Sequence, residues 1–260
     1  MSNLAWSLFV SVFAFGSVAM ADAPMKFDHT HGAWDGWLKK YVVVKGAAST
    51  VNYKEAKKNP KELNDYINSI TKVSRKTYDS FSKDEKLAFL INAYNALTVK
   101  LIVDNYPVDS IKDLGGLFSS PWKKKFFTLL GQKNHLDGIE HGMIREDWDE
   151  PRIHFAVVCA SIGCPMLSNE AWVAERIEEQ LERGAKNFLS DRSRNRYEAA
   201  ENKFYLSKIF DWYKGDFTKG DSTVQKFVSM RMAKDEGQRE KMQKAEVDHM
   251  EYNWKLNETK

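Results

Sequence analysis

The reactive residue types of this chain concentrate in residues 134–165, NHLDGIEHGMIREDWDEPRIHFAVVCASIGCP. Both cysteines, Cys159 and Cys164, fall there, with three of the six histidines and with Glu140, Arg145 and Arg152. A cysteine and a histidine are the minimum for nucleophilic acyl transfer. The imidazole takes the thiol proton and the thiolate attacks a carbonyl carbon. The two cysteines flank a turn, residues 160–165, that leads toward a helix. A helix N-terminus favours negative charge, so a thiolate is stabilised at such a place. His154 precedes Cys159 by five residues in what reads as a strand. At about 3.3 Å per residue that is roughly 16 Å, and the odd spacing sets the two on opposite faces. His141, on a separate short helix, is therefore the expected base. His154, Arg145, Arg152, Glu140 and Ser161 are expected to line the site. Asn92 and Asn95 on a buried helix are candidates for an orienting or oxyanion-type amide.

Each of these residues also has a plainer reading. Cys159 and Cys164 can close a disulfide in an oxidising compartment. Glu140 can be the second half of a capping box begun by Asp137. Arginines commonly pair with carboxylates, and a buried asparagine commonly tethers backbone. His141, His154, Cys159 and Cys164 make a nominal Cys₂His₂ set, but their spacing matches no zinc finger, and no metal is expected. His29 and His31 read as solvated. Trp122 with Lys123, Lys124 and Lys125 forms a basic aromatic patch. No P-loop, G-x-G-x-x-G, H-E-x-x-H or G-x-S-x-G motif is present. Nucleotide hydrolysis, dehydrogenation and lipase-type serine chemistry thus have no motif here.

The elements that must position these groups follow from periodicity. Ser82 and Glu85 form an S-x-x-E capping box. Behind them Leu87, Leu90, Ile91, Tyr94, Leu97 and Leu101 recur at helical spacing. Ala88, Phe89, Ala93 and Val99 make the other faces apolar too, so residues 83–105 read as a buried central helix ended by Pro107. Further helices are expected at residues 34–42, after Pro60, from Ser168 or Asn169 to about Leu189, at 209–217 behind Ser207, and over 221–247. Strands are expected at 51–53, 126–130, 153–158, 204–206 and 252–254. Together they predict an α+β fold, mostly helical, around a small antiparallel sheet.

Four stretches, FLINAYNALT (89–98), LDGIEHGMIR (136–145), PRIHFAVVCASIGCP (151–165) and LSKIFDWY (206–213), resemble the domain of unknown function 547 family and come in its order. The resemblance implies a compact α+β domain, loosely like papain and transglutaminase folds. It implies no substrate.

The chain has 260 residues, is 43% hydrophobic and 29% charged, and carries a net charge of +3. That balance excludes wholesale disorder and a strongly basic nucleic-acid surface. Residues 4–18 are apolar and Ala19-Met20-Ala21 offers small residues at −3 and −1, so residues 1–21 read as a secretory signal peptide. Residues 22–260 are then expected as one globular domain, periplasmic or secreted. No later segment is expected to cross a membrane. The leading expectation is a thiol-dependent amide hydrolase or acyl transferase, without cofactor, acting on a small molecule or peptide. The rival is a non-catalytic module that binds an acidic small molecule or peptide, glutathione being one version, with a Cys159–Cys164 disulfide or a mixed disulfide.

Overall fold

The computed structural model describes residues 27–116 and 119–259; the signal peptide expected at residues 1–21 lies outside them. The central helix, Lys83–Asn105, begins and ends where its sequence says. Ser82 Oγ accepts the Glu85 N–H at 3.2 Å, and Glu85 Oε2 accepts the Ser82 N–H at 2.7 Å. Both orphan donors are thereby satisfied. By length and composition this helix could cross a membrane, contrary to the sequence expectation, but nearly all of its apolar stretch is buried in the protein core. Its greasy perimeter is explained by neighbours on every side. Leu63, Tyr66, Ile67 and Ile70 of the helix Lys61–Thr71 belong to the same core, as do Trp34, Trp37, Leu38 and Tyr41 of Gly32–Tyr41. Trp34 stacks between Trp37 and Tyr66, at 5.0 and 5.6 Å between ring centroids.

Among the described residues the strands form three small sheets rather than the one antiparallel sheet expected. β1 (Val42–Lys45) and β2 (Ala48–Val51) pair antiparallel, as do β3 (Phe127–Leu129) and β4 (Gln132–Asn134). In the second hairpin Leu130 and Gly131 both take positive φ, 52° and 81°. That is the left-handed pair a two-residue hairpin turn demands. β5 (Arg196–Glu198) pairs antiparallel with β6 (Lys203–Leu206), which pairs parallel with β7 (Glu246–His249). Residues 221–247 are thus two helices, Val224–Met232 and Glu236–Gln243, running into an edge strand rather than helix throughout. A second core of phenylalanines, Phe155, Phe188, Phe210, Phe217 and Phe227, packs beside this sheet.

Three further expected elements are replaced, the first two because side chains take over the backbone's hydrogen bonds. Residues 153–158 are no strand: Pro151–Phe155 is a 3-10 turn, with proline at its start and Glu150 Oε1 accepting the Arg152 N–H at 3.0 Å. The following backbone pairs with Asn95, whose amide donates to Ala156 O at 2.9 Å and accepts from Val158 N at 3.0 Å. The helix expected from Ser168 starts at Ile177. Before it, Asn92 bonds both the N–H and the carbonyl of Trp172 at 3.0 and 2.7 Å, and Gln180 bonds Ala171 O and Val173 N. A backbone pinned at both its polar groups cannot enter a helix there. Residues 252–254 are an extended tail, not a sheet strand. The tail straps the 160–163 turn, with Ile162 N donating to Lys255 O and Gly163 N to Asn253 O, each at 2.8 Å. Gly163 is required by this approach, since a Cβ would lie 2.9 Å from Asn253 N.

Candidate functional site

A cavity of about 190 Å³ opens where the central helix, the 136–144 segment, the turn after Val158, the helix Ile209–Trp212 and the tail meet. Both thiols line it, with His154, Glu140 and Asp137. Its walls are aromatic: Tyr94, Tyr213, Tyr252, Trp122, Trp212 and Trp254.

Cys159 sits just before a backbone reversal. Ala160 takes a positive φ of 56°, a conformation that costs a residue with a Cβ and turns Ser161 back toward the preceding sulfur. Cys159 Sγ then lies 3.1 Å from Ser161 Oγ and 3.0 Å from Tyr252 Oη. The Cys159 N–H donates to Cys164 Sγ at 2.8 Å. Burial opposes ionisation of Cys159, but hydrogen bonds from Cys164, Ser161 and Tyr252 outweigh it and hold this thiol below its ordinary range. Cys164 is driven well above that range by burial and by the charge of Cys159. Of the two, Cys159 is the more readily ionised. Both are free thiols, so the expected disulfide is not formed.

His154 is the cavity's imidazole. Its Nε2 meets Asp216 Oδ2 at 2.7 Å, and its ring stacks on Tyr213 at 3.8 Å between centroids. Asp216 is gripped on its other side by Arg145, through Nε at 2.6 Å and Nη2 at 2.9 Å. The hydrogen bond from His154, then Arg145, hold the Asp216 carboxyl far below the usual carboxylate range. Burial lowers the His154 pKa, and Asp216 offsets part of that. The ring is neutral at pH 7, with its proton on Nε2 facing Asp216. Its other nitrogen, Nδ1, is buried without a partner.

Glu140 faces that bare nitrogen. It is no capping residue: His135 caps the segment by accepting the Gly138 N–H at 2.9 Å, and Glu140 begins a π-helical turn, Glu140–Ile144. Such turns recur at functional sites. Glu140 is 4% exposed, and its Oε1 has no hydrogen-bond partner and lies 3.9 Å from His154 Nδ1. After the cost of burial, its negative charge is the next cause pushing the Tyr94 and Tyr213 phenols upward.

The other candidates read from the sequence are elsewhere. His141 does not line the cavity; its Nδ1 accepts from Arg145 Nη1 at 2.7 Å. The strand argument that set His154 aside fails because residues 151–155 are helical. Arg152 lies among Glu150, Glu178 and Glu182. With Arg145 held by Asp216, the cations that would have received an acidic ligand such as glutathione are already paired. Asn92 and Asn95 tether backbone, so their amides are not available to an oxyanion. Ser161 stands against Cys159 as described. His31, expected in solvent, is buried against Tyr66. Among the described residues no group of His, Cys, Asp and Glu is arranged to hold a metal ion.

Asp216, Tyr213, Tyr94 and Tyr252 were not singled out by sequence reasoning. Tyr252 and Trp254 carry a signal, an aromatic pair in a polar tail, that also fits a strand. Asp216 had none, because its role depends on a helix 62 residues beyond His154 folding back.

Residues 78–189 match the family described as "Protein of unknown function, DUF547". No curated protein and no solved structure matches the chain. The matched residues include Tyr94, Glu140, His154 and both cysteines; Asp216, Tyr213 and Tyr252 lie beyond them.

Proposed function

We propose that this chain is an exported thiol-dependent amide hydrolase or acyl transferase, with Cys159 as nucleophile, His154 as base and Asp216 as the group that orients the base. One observation carries the reading: the Cys159 thiol and the Asp216-held imidazole line the same cavity. A nucleophile, a base and a carboxylate on the base's far nitrogen are the three roles acyl transfer requires. Ser161 and Tyr252 direct hydroxyls at the sulfur and so favour the thiolate. In the proposed step the Cys159 proton passes to His154 Nδ1, and the sulfur adds to the acyl carbon of an amide. The C–N bond breaks, the amine departs with the proton from His154, and a thioester remains on Cys159. Water then cleaves the thioester to a carboxylic acid and restores the thiol, or a second amine takes the acyl group.

The test is labelling of the purified protein with a chloroacetamide probe, read by peptide mass. Labelling is expected at Cys159, with a pH midpoint below that of a free thiol, lost in Cys159→Ala and kept in Cys164→Ala. General-base help contributes about 10²–10⁴-fold, so His154→Gln should slow labelling by about two orders of magnitude. A rate at Cys159 equal to that of free cysteine, and indifferent to His154→Gln, overturns the proposal.

A further inference from the structure

Acyl transfer to a thiol develops negative charge on the carbonyl oxygen, and a fixed donor aimed at that oxygen is a large part of catalysis. The backbone donors around Cys159 are already engaged. The Cys159 N–H donates to Cys164 Sγ at 2.8 Å. The N–H groups of Ile162, Gly163 and Cys164 donate to Lys255 O, Asn253 O and Ser161 O. The Ser161 N–H faces the sulfur. The Asn92 and Asn95 amides hold backbone.

Among the described residues, two hydroxyls stand within hydrogen-bond distance of Cys159 Sγ: Ser161 Oγ at 3.1 Å and Tyr252 Oη at 3.0 Å. They differ in what else they can reach. Ser161 is 2% exposed and forms no part of the cavity wall, whereas Tyr252 is partly exposed and lines the cavity. An acyl carbon bonded to Sγ carries its oxygen beside the sulfur. A cavity-facing hydroxyl at 3.0 Å from that sulfur reaches the oxygen by turning its O–H, which rotates freely. The phenol is also held in advance. The residue after it, Asn253, is tied to the nucleophile turn through Gly163 N, and its ring packs on Trp212 and Trp254 at 4.9 and 4.6 Å between centroids. Such a donor needs no reorganisation when charge appears. Burial, then the charge of Cys159, push the Tyr252 phenol well above its ordinary range, so it keeps the proton it donates.

We propose that Tyr252 is a catalytic residue, the donor to the oxyanion, and that Ser161 tunes the sulfur without touching substrate. The proposal rests on the acyl-transfer reading of Cys159. As Sγ bonds the acyl carbon, the carbonyl π pair moves onto oxygen and Tyr252 turns its O–H from sulfur to that oxygen. On collapse the π bond re-forms, the C–N bond breaks, and Tyr252 returns to the sulfur with its proton in place. The site thus favours substrates that develop charge on a carbonyl oxygen over alkylating ones that develop none.

Two reagents applied to the full chain separate the roles. p-Nitrophenyl acetate acylates a thiol through a tetrahedral oxyanion; chloroacetamide alkylates it by displacing chloride, with no oxyanion. Both rates are followed at Cys159 across pH and referred to the thiolate. Tyr252→Phe is expected to slow acylation by about 10²-fold beyond any effect on alkylation. Ser161→Ala should change the two rates by the same factor. A wild-type ratio of acylation to alkylation in Tyr252→Phe, or an equal fall of that ratio in Ser161→Ala, overturns the proposal. Circular dichroism checks folding. Should Tyr252→Phe not fold, the wild type decides with a thiono ester, whose sulfur is a poor hydrogen-bond acceptor. It should react more slowly relative to its oxygen ester at Cys159 than at free cysteine, and an equal ratio overturns the proposal. Failure of the parent reading is visible separately, as alkylation of Cys159 at the free-cysteine rate and indifferent to His154→Gln.

Discussion

Two buried histidines, His31 and His154, have nearly the same exposure, 2% and 3%, and different chemistry. Each stands at a cavity and each has one ring nitrogen without a partner. His31 precedes the helix Gly32–Tyr41 with a left-handed φ of 50°, and its Nδ1 meets the Tyr66 hydroxyl at 2.7 Å. Burial lowers its pKa to about 3, with only partial opposition from Asp28. It takes no proton at neutral pH. His154 has a carboxylate where His31 has a phenol, and an arginine behind the carboxylate. That charge offsets part of the desolvation. Burial lowers the pKa of both histidines; the charge nearby sets how much of that is offset.

The sharpest break of this contrast is kinetic. His154→Gln should slow probe labelling of Cys159 by about 10²-fold, while His31→Asn, whose side chain tolerates the left-handed backbone, should leave the rate unchanged. Equal losses would erase the distinction. Next in size is acid stability. The unfolded chain protonates His31 below about pH 6.5, whereas the native chain resists until about pH 3. Native stability should therefore fall as pH falls across that window, by about 1.4 kcal/mol per pH unit for this one proton. Urea melts of His31→Asn should show a slope shallower by that one proton. Asp216→Asn should cost about 1–3 kcal/mol, since Arg145 and His154 lose a charged partner. The Asp216 pKa is depressed, so its contribution is present above the unfolded carboxyl pKa near 4 and is lost as pH falls below that. The wild type and the variant should thus converge in acid melts. Smallest is Tyr66→Phe, about 1 kcal/mol from one hydrogen bond, with labelling of Cys159 unaltered.

How much of this was legible depended on range. The central helix was readable to the residue, because a capping box, a continuous apolar run and Pro107 are all local signals. The strand before Gly131 was readable for the same reason, but its partner, Gln132–Asn134, was not. The 153–158 strand was misread although its residues are β-formers, since Asn95 on another element supplies the hydrogen bonds a strand partner would give. The site divided in the same way. Cys159, Cys164, His154 and Glu140 stood out as chemistry clustered in sequence, and the fold does bring them to one cavity. His154, and not His141, reaches the cavity because strand geometry does not hold for a stretch that begins with Pro151. Asp216 and Tyr252 are joined to their partners only by tertiary folding, and no local spacing announces that.

The hydroxyl of Tyr252 reaches Cys159 from 93 residues further along the chain. Translation proceeds at about 5–20 residues per second, so Cys159 is made roughly 5–20 s before the residue that tunes it. For that interval the sulfur lacks the phenol and the strap that carries it. On the proposed chemistry a chain is shielded from its own nucleophile until the tail docks and brings the Tyr252 hydroxyl to Cys159. A ribosome-stalled chain ending before Tyr252 should carry a thiol of ordinary reactivity, and release of a chain that includes the tail should convert it.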